Sequence, residues 1–96
     1  MKSKTYKNAT DLAIGLGLSA EHGIIAEMKA SLTKEIIKAI DKKKLTHKNV
    51  AELSGVPRSA ITGIVNGSLQ RVSIDRLIRI VGSLGKKVEL KYKNAA

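Results

Sequence analysis

The chain has 96 residues and no cysteine, so it has room for one domain with a modest core and contains neither disulfides nor thiolate metal ligands. Hydrophobic residues make up 43% of the chain, but phenylalanine and tryptophan are absent, which predicts an aliphatic core and argues against binding single strands by stacking bases. The net charge of +10 favours a polyanionic partner. No apolar run approaches the roughly 20 residues of a membrane span, and the basic start lacks an apolar signal core, so we expect a cytoplasmic protein.

The first part of the chain predicts an arm followed by a long helix. Residues 1–10 are polar and lysine-rich and are predicted to form an arm, with a strand at residues 3–7 or an arm touching DNA as alternatives. Residues 11–18 are predicted to form a short turn of helix that ends this arm. Ser19 is the predicted N-cap of a helix that runs to about Lys43, because apolar residues recur there at steps of three and four. Most of this apolar stripe is expected to be core, while the half before Leu32 is available to a partner.

Residues 46–67 predict a helix, a tight turn and a second helix. Thr46 is the predicted N-cap, and Gly55 lies at the turn, where the chain must adopt a left-handed conformation. Val56 is expected to fill the corner between the helices, and Ile61 and Ile64 are expected to face inward. This combination predicts a helix-turn-helix, whose second helix enters the major groove of DNA.

The end of the chain predicts a further helix and a strand. Ser73 is expected to cap a helix over residues 74–84, with Ile74, Leu77, Ile78 and Val81 as its buried stripe and Gly85 as its stop. Residues 86–93 alternate between apolar and charged side chains, which predicts a half-buried strand.

The predicted strand suggests how the chain associates. Its apolar side consists of Val88, Leu90 and Tyr92, and it has no obvious partner in the sequence. Because a lone strand edge is sticky, we expect it to pair with its two-fold mate in a homodimer, with pairing to residues 3–7 as the alternative. The predicted organisation is an arm at 1–18, a helical domain at 19–85 and a strand and tail at 86–96.

Catalytic chemistry has little support in the sequence. His22 and His47 are isolated from one another, and no metal-ligand spacing or serine nucleophile elbow occurs. Gly15 and Gly17 are not part of a phosphate-binding glycine pattern. We therefore predict no enzymatic activity, no metal site and no cofactor.

The helix-turn-helix spacing resembles that of the phage repressor/Cro-type (XRE) family, and residues 18–92 resemble its HigA-like antitoxin branch. The sequence RVSIDRLIRIVGSLGKKVELKYK carries the closer likeness. The resemblance implies a mainly all-α, phage-repressor-like bundle with a C-terminal β-strand used in dimerisation. It further implies a sequence-specific repressor that binds a palindromic double-stranded DNA operator in the nucleoid, and an antitoxin that autoregulates its operon. The alternative is a protein–protein module that neutralises a small toxin through its N-terminal helix.

The second helix of the motif carries the candidate base-reading residues. Pro57 is predicted at its first position, where the missing N–H costs nothing. The candidates for base reading are Arg58, Ser59, Thr62 and Gly63. Arg58 can grip guanine with two hydrogen bonds, although a phosphate contact is its alternative role, and a solvated first-turn position is the alternative for Ser59.

The candidate phosphate contacts flank that helix: His47, Lys48, Asn66, Ser68 and Arg71. Two residues depart from the family pattern. His47 stands where relatives usually have glutamine, and an exposed helix start without contact is its alternative. Gly63 stands where relatives usually carry a polar or basic side chain, which predicts either looser specificity or a closer approach of the backbone to the groove.

Overall fold

The structure is a computed structural model that describes residues 20–94. The predictions for the arm at 1–18, the strand at 3–7 and the Ser19 cap lie outside the described residues. Within 20–94 the chain forms four helices: α1 (Ala20–Lys43), α2 (His47–Ser54), α3 (Arg58–Val65) and α4 (Ile74–Ser83). The predicted all-α class is confirmed for this part of the chain, and α2 and α3 are the two helices of the predicted helix-turn-helix.

Local signals set the helix ends. Thr46 and Asn49 form a capping box before α2, in which the Thr46 hydroxyl accepts from the Asn49 N–H at 3.0 Å and the Asn49 side chain accepts from the Thr46 N–H at 2.9 Å. Ser73 caps α4 by accepting from the Arg76 N–H at 3.2 Å. Gly55 ends α2 with φ of 74°, in the left-handed region that the sequence predicted.

Two details of the backbone differ from the expectations. Pro57 is the N-cap of α3 and not its first helical residue, because its ψ of 142° is extended while its carbonyl already accepts from the Ile61 N–H at 3.1 Å. Lys44 ends α1 with φ of 52°, a left-handed conformation that a non-glycine residue rarely adopts. The Leu45 N–H then donates to the Ile40 carbonyl at 3.0 Å, which closes the last turn of α1.

The core is aliphatic, as composition predicted. It is formed by Ile36, Ala39, Val50, Val56, Ile61, Ile64, Leu77, Ile80, Val81 and Leu84. α1 packs against α3 and α4, and α2 packs against the same two helices, so α3 contacts both α1 and α2. The predicted stripe of α4 was partly wrong: Ile78 is 40% exposed and Ile74 only half-buried, because the side facing the bundle is made by Leu77, Ile80, Val81 and Leu84.

The predicted strand at 86–93 is absent from the single chain. Residues 86–94 adopt neither helix nor strand, because a strand needs a hydrogen-bonded neighbour and the described residues offer none. The segment instead follows Gly85, whose φ is 88°, and is tied to α1 by the Lys86 ammonium, which lies 3.0 Å from a Glu35 carboxylate oxygen. Val88 and Leu90 then line an open groove with Met28 and Ile78.

Candidate nucleic-acid interface

The helix α3 has one buried side and one open side. Ile61 and Ile64 are 1% and 0% exposed and hold the helix against the core. Arg58 and Ser59, in the first turn, are exposed, while Thr62 and Gly63 are half-buried. The structure thus places the four candidate base-reading residues on one short helix. The side chains of Arg58 and Ser59, in its first turn, reach solvent.

A buried serine, Ser54, stabilises the turn between α2 and α3 and is not among the residues predicted from the sequence. Ser54 is only 9% exposed, and its hydroxyl donates to the Val50 carbonyl at 2.7 Å and accepts from the Val56 N–H at 3.2 Å. One hydroxyl therefore joins the end of α2 to the corner residue that precedes α3. The signal in the sequence was a polar residue directly before the turn glycine, where a side chain can reach the local backbone.

The start of α2 is bonded to the middle of α3. His47 is the first residue of α2, and its Nδ1 lies 2.9 Å from the Thr62 hydroxyl in a partly buried contact. The sequence predicts a phosphate contact for His47 and a base contact for Thr62, and it gives no sign that the two side chains meet. Because 15 residues separate the two, no local pattern could have paired them.

Comparison with protein families settles the class of this motif. A family profile described as a helix-turn-helix domain matches residues 18–93, well over half of the chain. The chain belongs to this helix-turn-helix family. Comparisons with curated proteins and with solved structures give no match.

Membership of the helix-turn-helix family indicates a DNA-binding regulator. The predicted motif is confirmed, while the narrower assignment to the XRE family and its antitoxin branch is not decided by this match. None of the helices in residues 20–94 combines the length and apolar character needed to cross a bilayer. No three His, Cys, Asp or Glu side chains converge within the same range in the way a metal site requires.

The loop after α3 carries three of the candidate phosphate contacts and is firmly attached. Asn66, Ser68 and Arg71 are all exposed in it. The Ser68 N–H donates to the Gly63 carbonyl at 2.9 Å, and the Lys29 ammonium of α1 donates to the Leu69 carbonyl at 3.1 Å. These bonds hold the loop against both α3 and α1, so its side chains extend from a fixed backbone.

The ion pairs within residues 20–94 leave out the cations around α3. The ion pairs found within residues 20–94 join Glu35 to Lys38 and Lys86, and Glu89 to Lys87. All of these lie on α1 or in the segment after α4. The cations of α2, α3 and the following loop therefore have no carboxylate partner in the described part of the chain, which leaves them available to phosphate.

Proposed function

We propose that the protein is a sequence-specific, double-stranded DNA-binding repressor of the phage repressor/Cro type, in which α3 enters the major groove. The observation that supports this proposal is that α3 is buried on one side and exposed on the other. Ile61 and Ile64 anchor the helix in the core, while Arg58 and Ser59 point to solvent from its first turn. Base edges are read by the N-terminal residues of such a helix.

The proposed roles divide the site into readers and clamps. Arg58, Ser59 and Thr62 read base edges, and Gly63, which has no side chain, adds no base contact of its own. His47 and Lys48 in the first turn of α2 contact phosphate, together with the loop residues Asn66, Ser68 and Arg71. The contacts to phosphate position the protein, and the contacts to bases supply sequence preference.

Binding experiments with two matched arginine variants test this division. Arg58→Ala should weaken binding to the cognate operator by about 1–3 kcal/mol and change binding to scrambled DNA little. Arg71→Ala should weaken both DNAs similarly and lower the salt slope by about 1. Affinities would be measured over a salt series with the DNA upstream of the chain's own reading frame. Equal weakening of both DNAs by Arg58→Ala would make Arg58 a clamp, and no effect of either variant would mean that α3 is not the reading helix.

We propose further that the repressor is a homodimer joined through residues 86–93. The apolar side chains of this segment are open in the single chain, with Val88, Leu90 and Tyr92 exposed by 37%, 72% and 90%. Pairing with a two-fold mate would supply the missing strand neighbour and present two reading helices to half-sites about 34 Å apart. Sedimentation should show a dimer at micromolar concentration and a monomer after deletion of residues 88–96. A dimer that survives the deletion would refute this interface.

A role as the antitoxin of a toxin–antitoxin pair is the more specific form of the proposal. The alternative, a module that neutralises a toxin while DNA binding is secondary, is favoured by the open apolar side chains of α1: Ile24 is 49% exposed and Met28 is 38% exposed. Co-expression with the product of a neighbouring reading frame separates the two activities. Ile24→Glu should abolish protection from a toxic partner and leave DNA binding intact, whereas Arg58→Ala should do the reverse. Protection that survives Ile24→Glu would exclude this face.

A further inference from the structure

The bond between His47 and Thr62 is the one side-chain hydrogen bond that joins α2 to α3 within residues 20–94. It runs from the imidazole Nδ1 to the hydroxyl oxygen over 2.9 Å and is partly buried. Thr62 lies on the helix proposed to read bases, and His47 lies at the helix start proposed to contact phosphate. The two roles are therefore coupled through one ring and one hydroxyl.

The direction of this bond follows from the chemistry of the ring. A neutral imidazole donates from one nitrogen and accepts at the other. A phosphate oxygen only accepts, so a His47 ring that contacts phosphate through Nε2 must carry its hydrogen there. In the neutral ring Nδ1 is then an acceptor, and the Thr62 hydroxyl donates to it, whereas an imidazolium would donate from both nitrogens.

Thr62 has a single hydroxyl hydrogen, and the bond to a neutral His47 ring that is protonated at Nε2 uses it. What remains on the Thr62 oxygen is the capacity to accept. In the major groove, adenine presents the N6 amino group and cytosine the N4 amino group as donors, whereas guanine and thymine present only acceptors and the thymine methyl group. A Thr62 oxygen fixed as an acceptor therefore distinguishes the first two bases from the last two.

We propose that His47 is a positioning residue that sets the hydrogen-bonding direction of Thr62, so that Thr62 selects adenine or cytosine at the base it faces. The inference rests on the proposed function, because it needs α3 in the major groove and the start of α2 on the phosphates. It adds a preference at one base position and assigns that preference to a residue that does not touch the base.

The test measures affinities at a pH of about 8, above the ordinary pKa of an imidazole, for operators that carry each of the four bases at the position read by Thr62. That position is identified as the one where Thr62→Val abolishes discrimination. The wild type should prefer adenine or cytosine to guanine or thymine by roughly tenfold, the upper end of what a single hydrogen bond contributes. His47→Gln should keep this preference, since an amide also donates at one atom and accepts at the other.

Two further variants separate the positioning role from simple phosphate binding. His47→Leu removes both bonds, so its overall affinity should fall and the four bases should become equivalent within about twofold, because the freed hydroxyl can either donate or accept. Lys48→Ala, the neighbouring control, should lower affinity for all four operators by the same factor and keep the preference. Thermal melts of each variant would establish that it is folded.

The inference is overturned by a wild-type preference for guanine or thymine at this position, by a preference for adenine or cytosine that persists in His47→Leu, or by the lack of any position at which Thr62→Val abolishes discrimination. In each of these cases specific binding and its loss in Arg58→Ala would remain, so the proposed function would stand. Failure of the proposed function has a different signature, since no operator would then be preferred over scrambled DNA by any of these proteins.

Discussion

Replacement of Gly63 by alanine tests whether α3 can be stabilised without loss of the proposed binding to DNA. Gly63 lies inside the helix and its φ is not left-handed, so an alanine needs no change of backbone. An added Cβ would meet the Ser68 side chain at 4.0 Å, an ordinary contact. Alanine is favoured over glycine in a helix interior by about 0.8–1.0 kcal/mol, and we expect the free energy of unfolding to rise by that amount.

Gly82→Ala is the matched control. Gly82 lies within α4, and nothing lies within 4 Å of an added Cβ there. Both variants should raise the melting temperature by about 4–8 °C, measured by circular dichroism. Because the new methyl group at Gly63 faces the loop at Ser68, we also expect operator affinity to stay unchanged in both.

The two readouts refute different parts of this reasoning. A melting temperature that rises in Gly82→Ala but not in Gly63→Ala would show that the methyl group does not fit beside Ser68. A fall in operator affinity confined to Gly63→Ala, with the melting temperature raised, would show that DNA occupies this space and approaches the α3 backbone directly.

Three further changes follow from single features of the fold. Gly55→Ala should lower the free energy of unfolding, measured by chemical denaturation, by about 1–2 kcal/mol, because the φ of Gly55 is 74°. No atom would clash with the added Cβ, so backbone strain is the expected cause, and an unchanged free energy of unfolding would refute it. Thr33→Val should raise that free energy by about 1 kcal/mol, because the Thr33 hydroxyl is buried without a partner in residues 20–94; a fall would reveal a hydrogen bond to water. The Lys86 ammonium beside Glu35 holds the pKa of that carboxyl below its usual value, so this pair stabilises the fold at neutral pH and the effect is lost as the pH falls through the lowered pKa. Glu35→Gln should therefore lower stability at neutral pH and match the wild type in acid, and a difference that persists in acid would contradict the pairing.

Local features of the fold were predictable from the sequence because their signals lie within a few residues. Thr46 and Ser73 cap the helices as predicted, and Gly55 takes the left-handed turn. The position of Pro57 was off by one residue, since a proline without an N–H suits both the N-cap and the first helical position. The outward position of Ile78 was missed because the apolar residues of α4 allow two neighbouring stripes, and only the packing of the other helices selects one.

The sequence predicted which candidate residues share a helix but not which of them contact one another. The helix-turn-helix spacing placed Arg58, Ser59 and Thr62 on one helix, and the structure bears out that placement. The bond from His47 to Thr62 depends on how α2 crosses α3, which no spacing within either helix encodes. The contacts of these residues with DNA stay predictions.

The two halves of the helix α1 differ in how much apolar surface they bury. Its 24 residues span about 36 Å, and its buried apolar side chains, Ile36 and Ala39, lie in the second half. Ile24 and Met28 in the first half are 49% and 38% exposed. A helix with little buried apolar surface is marginal in water, so backbone amides should exchange with deuterated solvent faster near the start of α1 than around Ile36. The same helix thus combines a segment that opens slowly with one that a bound molecule would stabilise.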